Sequence, residues 1–233
     1  MNVLSIAMQL FVVLFAITIH EASHGWAAYR LGDPTAHNLG RVSLNPIVHI
    51  DPIFTIAVPV LLTLMGMPAF GAAKPVPVNP YNLRNPRRDN IWISLAGPAA
   101  NGLTALAAFT LLLVLKFADP GVNRFLRIIS RTLFKSPEML RAAFPRGIFP
   151  LEGLALVLYF VVLINIYLAV FNLIPVPPLD GSGILMGVLP EKYAERYERL
   201  RPYGFFLVIA LVMMGVLTMI VAPIEIFIDV ILG

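Results

Sequence analysis

Residues 10–29 read LFVVLFAITIHEASHGWAAY. An uncharged run leads into His20, Glu21 and His24, and then into Trp26 and Tyr29. Counted from residue 3, the stretch is long enough to cross a bilayer core as a helix, which takes about 20 residues. Trp26 and Tyr29 mark its interface. The three ionisable groups therefore sit at membrane depth, where such groups are costly and mark function. The other reading has the helix leave the membrane near His20, with a polar cluster at the interface. There is no basic segment before Leu4, and His20, Glu21 and His24 stand where a cleavage site would be, so the run reads as a span and not as a secretory signal.

His20, Glu21 and His24 spell H-E-x-x-H. On a helix, residues four apart share a face, so both imidazoles reach one ion. Glu21, beside the first of them, is placed to hold a water on that ion and act as general base. A catalytic zinc site takes three protein ligands and a water, so one ligand is missing. Cysteine is absent, which leaves His, Asp or Glu. His37 and His49 lie in a Pro/Gly-rich loop and suit surface or turn roles. Asp180, in the NLIPVPPLDG of 172–181, is the better candidate. Pro175, Pro177 and Pro178 end the preceding apolar helix, and a lone carboxylate at such a break in a membrane segment wants a cation. The competing reading of Asp180 is an N-cap for the next helix.

The whole chain agrees with a membrane setting. Of 233 residues, 58% are hydrophobic and 13% charged, where soluble domains are nearer half and a quarter. Five apolar segments stand out, at about 3–29, 53–67, 91–115, 154–173 and 205–232. The second is short, carries Pro59 and reads as re-entrant or a half-span. The expected fold is an all-α polytopic membrane protein of about five hydrophobic helices, forming a single membrane-embedded domain over 1–233. Small β elements are expected in the loops, where 74–78 alternates with proline and reads as an edge strand. An amphipathic helix is expected over 122–134, with Arg124, Arg127 and Arg131 at helical spacing, and a short exposed helix over 190–202. Glu225 and Asp229, four apart, read as an interfacial patch or the lining of a polar path. The net charge of +4 is scattered through loops, which suggests anchoring at a bilayer and no nucleic-acid partner.

HEASH with NLIPVPPLDG resembles the site-2 proteases, zinc metalloproteases of regulated intramembrane proteolysis. SLNPIVHIDP at 43–52, FGAAKPVPVNPYNLRNPRR at 70–88 and GPAAN at 97–101 are similar to strings of their short members, which lack PDZ and CBS modules. The resemblance covers most of 15–185 and implies one Zn2+ per chain on His20, His24 and Asp180. It implies Glu21 as the base and Asn172 as a group that holds substrate or stabilises the oxyanion. The substrate it implies is a transmembrane segment of another protein. Asn101 would occupy a helix-packing position, either as a buried amide or with a direct role. The proline-rich loops would hold a substrate strand by edge pairing. Phe54 departs from the pattern, since a small residue is expected there.

If the second segment does not cross, the HEASH side carries ten Lys and Arg and the other side seven. That places the site toward the cytoplasm of a prokaryotic cell membrane. If it crosses, the count is eight against nine and decides nothing. The rival reading is a membrane metal-binding protein or transporter without proteolysis, which would have no use for Glu21.

Overall fold

The structure, a computed structural model, describes residues 3–65, 73–132 and 149–232. Three helices are long and apolar enough to cross a membrane: α1 (Val3–Leu31, with its apolar span at Leu10–Leu31), α4 (Pro86–Ala118) and α6 (Pro150–Asn172). Shorter helices are α2 (Thr35–Asn38), α3 (Val58–Leu64), α5 (Pro120–Thr132), α7 (Asp180–Val188), α8 (Glu191–Glu198), α9 (Gly204–Met213) and α10 (Val216–Leu232). On the long helices Phe11, Leu103, Leu106, Val114 and Phe117 stay exposed, as lipid-facing side chains do. The chain is an integral membrane protein.

Two expectations change. The last apolar segment is not one straight span. Gly215, at φ 71°, breaks it, and the stretch Glu191–Met213 meets Val216–Leu232 at 51° as a bent pair, a fourth candidate crossing. Left-handed backbone at this point favours glycine and stops a helix. In the second segment a π-helical turn (Pro52–Ala57) runs into α3, rising about 20 Å against a core of about 30 Å. Residues 66 and 67 of that segment lie outside the described residues, as do 133 and 134 of the expected amphipathic helix.

The second change concerns β structure. Among the described residues no strand forms. Residues 73–79 are extended but unpaired, because Pro75 and Pro77 have no N–H to give a ladder. Three of the remaining donors go elsewhere: Lys74 N to His49 O at 2.9 Å, Val76 N to Glu21 Oε2 at 3.2 Å and Asn79 N to Asp33 Oδ2 at 2.7 Å. The buried Arg41 guanidinium donates to Val48 O, Lys74 O and Pro75 O. We call 73–79 the strap.

The contacts group into two compact units, and the three long helices give residues to both. The first unit comprises 1–13, 102–167 and 218–233. Val122, Phe125, Leu126 and Ile129 of α5 are fully buried there among Leu112 of α4, Leu156 and Tyr159 of α6, and Leu232 of α10. Arg124 and Arg127 lie on the exposed face of α5, so this helix is amphipathic as expected. Glu225 and Asp229 face α6: Tyr167 Oη donates to Glu225 at 2.6 Å and Tyr159 Oη to Asp229 at 3.2 Å.

The second unit, 14–101 with 168–217, contains the strap and Asp33, which ties the strap to the end of α1. Asp33 is fully buried. It accepts from Thr35 N (3.1 Å), Thr35 Oγ1 (2.5 Å), Asn79 N and Asn82 Nδ2 (2.8 Å). Burial pushes its carboxyl up, but donation by Asn82, Thr35 and Asn79 outweighs this and holds it below the ordinary carboxylate range. A depressed folded pKa stabilises above the unfolded value and is lost as pH falls through the folded one. Asp33→Asn, which turns a donor toward donors, is expected to cost about 1.5–3 kcal/mol at neutral pH. The difference should shrink below about pH 4. Thermal unfolding of both proteins in detergent across pH checks this, and a gap independent of pH would contradict it.

Candidate metal centre

α1 carries His20 and His24 one turn apart, as the motif requires. Their rings meet edge to face, with centroids 4.6 Å apart, and both residues are buried. α4 supplies what orients them. It begins at Asn85–Pro86, with proline at the first helical position and the Asp89 carboxylate accepting from Asn85 N at 2.8 Å. Two residues within α4 fix the imidazoles. His24 Nδ1 lies 2.7 Å from Ile93 O, and His20 Nδ1 lies 2.6 Å from Asn101 Oδ1. A carbonyl only accepts, so His24 Nδ1 bears the hydrogen. Asn101 Nδ2 donates to Ala16 O at 3.1 Å, which turns its Oδ1 toward His20, so that Nδ1 bears a hydrogen as well. Both Nε2 atoms are then bare lone pairs in the neutral rings. Such partners set the tautomer and orientation of metal-binding histidines. Asn101 is thus a fully buried amide bonded between helices, the first of its two expected roles, and through it touches His20.

α7 delivers the carboxylate. It packs so closely on α4 that a Cβ on Gly183 would collide with Ser94, and one on Gly187 with Ile91. Asn90 Nδ2 donates to Gly183 O at 3.3 Å. Asp180 is the first residue of α7. The N-cap is Leu179 and no side chain caps the helix, so the capping reading of Asp180 does not hold. Its Oδ2 lies 3.0 Å from His20 Nε2 and its Oδ1 3.3 Å from His24 Nε2. The three ligand atoms lie within 4.8 Å of one another.

With both rings neutral, carboxylate oxygens facing two bare imidazole nitrogens would be acceptors against acceptors. Asp180 Oδ2 is also buried without a hydrogen-bond partner, which is costly for a carboxylate. A cation among the three relieves both problems at once. Two imidazoles and a carboxylate are a catalytic zinc donor set with one position left for water. The residues present fit zinc.

Glu21 follows His20, and its Oε2 accepts from Val76 N. Asn172, at the end of α6, donates to Leu168 O one turn back at 3.0 Å. Among the described residues it makes no hydrogen bond to the three ligands. His37 is exposed and stacks on Tyr29 at 4.5 Å. His49 is buried and donates from Nε2 to Ser43 O at 2.9 Å. Neither belongs to the cluster. Gly97 is the neighbour that sequence reasoning missed. A Cβ there would lie 2.5 Å from His24 Nε2 and 2.7 Å from His20 Nε2. The signal lies in GPAAN, where the glycine stands four residues, about one helical turn, before Asn101.

The sequence model of peptidase family M50 matches residues 8–215. YwhC of Bacillus subtilis (strain 168), named as a candidate zinc metalloprotease, is 33% identical over 85% of this chain and 77% of its own. Rip2 of Mycolicibacterium smegmatis, named likewise, is 28% identical over 85% of this chain and 63% of its own. Rip2 of Mycobacterium tuberculosis (strain H37Rv) is 27% identical over 86% and 63%. The chain thus spans about three quarters of YwhC and under two thirds of these Rip2 proteins. No solved structure matches it.

Proposed function

Because the chain belongs to peptidase family M50 and is a zinc metalloprotease, we propose that it hydrolyses peptide bonds within or near transmembrane segments of other proteins. His20, His24 and Asp180 would hold the zinc, Glu21 would be the general base, and the whole of 1–233 would act as one membrane-embedded protease domain. The observation that carries this is the convergence of the His20 and His24 Nε2 atoms, borne on a helix long and apolar enough to span a bilayer, on the Asp180 carboxylate, whose buried Oδ2 has no hydrogen-bond partner.

When bound, zinc supplies Lewis acidity, which brings the pKa of water from about 15.7 to about 7 and polarises a carbonyl. The residues do the rest. Asn101 and Ile93 O keep the ligating nitrogens bare. Glu21 accepts the proton of the attacking water at a carboxylate oxygen and delivers it to the leaving amide nitrogen. Asn172, at the mouth of the α6–α7 connection, would bind the substrate backbone or its developing oxyanion. Its amide must first turn from Leu168 O. A helical substrate hides its carbonyls in hydrogen bonds, so the bond to be cut has to unwind first. Substrates with helix-breaking residues at that place should be favoured. The short second segment supports a site facing the cytoplasm of a prokaryotic cell membrane, by the ten-to-seven balance of Lys and Arg.

The test is reconstitution of the pure protein in liposomes with a panel of single transmembrane peptides. Cleavage inside the apolar segment is expected. A chelator should abolish it and added zinc restore it. A zinc-replete protein that leaves the whole panel intact, including peptides with helix breakers, would defeat the proposal.

A further inference from the structure

A glutamate that shuttles a proton has three rotatable bonds and a narrow working range, about 2.6–3.2 Å from the atom it serves. Something has to aim it. Glu21 sits on α1 between residues that face the metal site, and its Oε2 accepts a hydrogen bond from the backbone N–H of Val76.

That N–H belongs to the most constrained part of the strap. Val76 lies between Pro75 and Pro77. Each proline fixes its own φ, and Pro77 also confines Val76 to extended backbone. The two prolines leave no neighbouring amide to compete for the carboxylate. On one side Lys74 is held by its N–H on His49 O and its carbonyl on Arg41. On the other, Asn79 N is held on Asp33 Oδ2. Gly25, next to His24, has no side chain, and the space a Cβ would need is bordered by Val76 Cγ1 at 3.5 Å and Val42 Cγ2 at 3.0 Å. The donor is rigid, the acceptor is flexible, and the strap lies against the turn of α1 that carries the second histidine.

We infer that the backbone N–H of Val76 is the positioning group of the general base: the proline-flanked strap exists to present this one donor to Glu21. This rests on reading Glu21 as the base. It also separates the strap from its expected role of pairing with a substrate strand, because Pro75 and Pro77 have no N–H to offer and the protein's own groups take Lys74 N, Val76 N and Asn79 N.

Val76→Pro removes the hydrogen, while Val76→Ala removes a similar part of the side chain and keeps the hydrogen. With a transmembrane peptide substrate and zinc-loaded protein, Val76→Pro should lower kcat by about tenfold or more. KM and zinc content should be unchanged, and Val76→Ala should stay within about twofold of the unaltered protein. If the proline variant fails to retain zinc, α-hydroxyisovaleric acid at position 76, which puts an ester oxygen in place of the N–H and keeps the side chain, takes its place with the same expected kcat loss. Equal kcat in the proline (or ester) and alanine proteins overturns the inference. So does a rise in KM at constant kcat, which would assign the N–H to substrate. Cleavage by the unaltered protein in the same assay keeps either failure distinct from failure of the protease reading.

Discussion

Gly97→Ala is expected to strip the protein of zinc although no ligand changes. The new methyl carbon would stand 2.5 Å from His24 Nε2 and 2.7 Å from His20 Nε2, well inside ordinary contact. Neither ring can retreat freely. Each is tethered at Nδ1, by Asn101 or by Ile93 O, and the collision falls on the very atoms meant to bind metal. Loss of a partner around a metal site costs about 10–100-fold in affinity, and an obstruction at the ligand atoms should reach or exceed the upper end. The helix itself pushes the other way, because alanine is favoured over glycine by about 1 kcal/mol in a helix interior. A protein that folds as well as before yet binds zinc at least about 100-fold more weakly is therefore the expected pair of results, read by chelator competition and thermal unfolding. Stoichiometric zinc at unchanged affinity would show that the two imidazoles do not close on α4 in this way.

The parts of this site legible in the sequence are those fixed by local geometry. His20 and His24 share a helix face whatever surrounds them, so a five-residue string suffices. Asp180 was legible for a different reason: Pro175, Pro177 and Pro178 stop an apolar helix just before it, and a charge at such a stop invites a partner. What the sequence hid are contacts made by groups without identity. Ile93 acts through its carbonyl and Val76 through its amide, as any residue at those positions would, across 69 and 55 residues of chain. Gly97 acts by having nothing to offer but room.

The fold divides in the same way. Hydropathy alone found α1, α4 and α6, since about 20 apolar residues in a row leave few alternatives. It missed the bend at Gly215, where the composition is as apolar on one side of the break as on the other and only the backbone conformation differs. It also misjudged 74–78. Alternating proline does enforce an extended chain, but an extended chain becomes a strand only if its donors find a neighbouring strand's carbonyls, and here the Glu21 carboxylate of α1 took Val76 N and a loop carbonyl, His49 O, took Lys74 N.

Glu21→Gln should keep zinc and lose cleavage. The amide has the shape of the carboxylate, and its Oε1 still accepts from Val76 N, so the strap and α1 have no cause to move. The proposed metal ligands are His20, His24 and Asp180, so zinc affinity should change little. The variant cannot take a proton from water or hand one to the leaving nitrogen, and general acid–base catalysis contributes about 10²–10⁴-fold. The expected kcat loss is of that order, with zinc content near one per chain by mass spectrometry. The same variant decides against the transport reading. A carrier built on His20, His24 and Asp180 would still move metal across a liposome membrane with glutamine at 21, because that residue would have no part in its cycle. Retained zinc with retained cleavage would send the search for the base elsewhere, and lost zinc would make Glu21 a ligand, which the distances among the other three give no reason to expect.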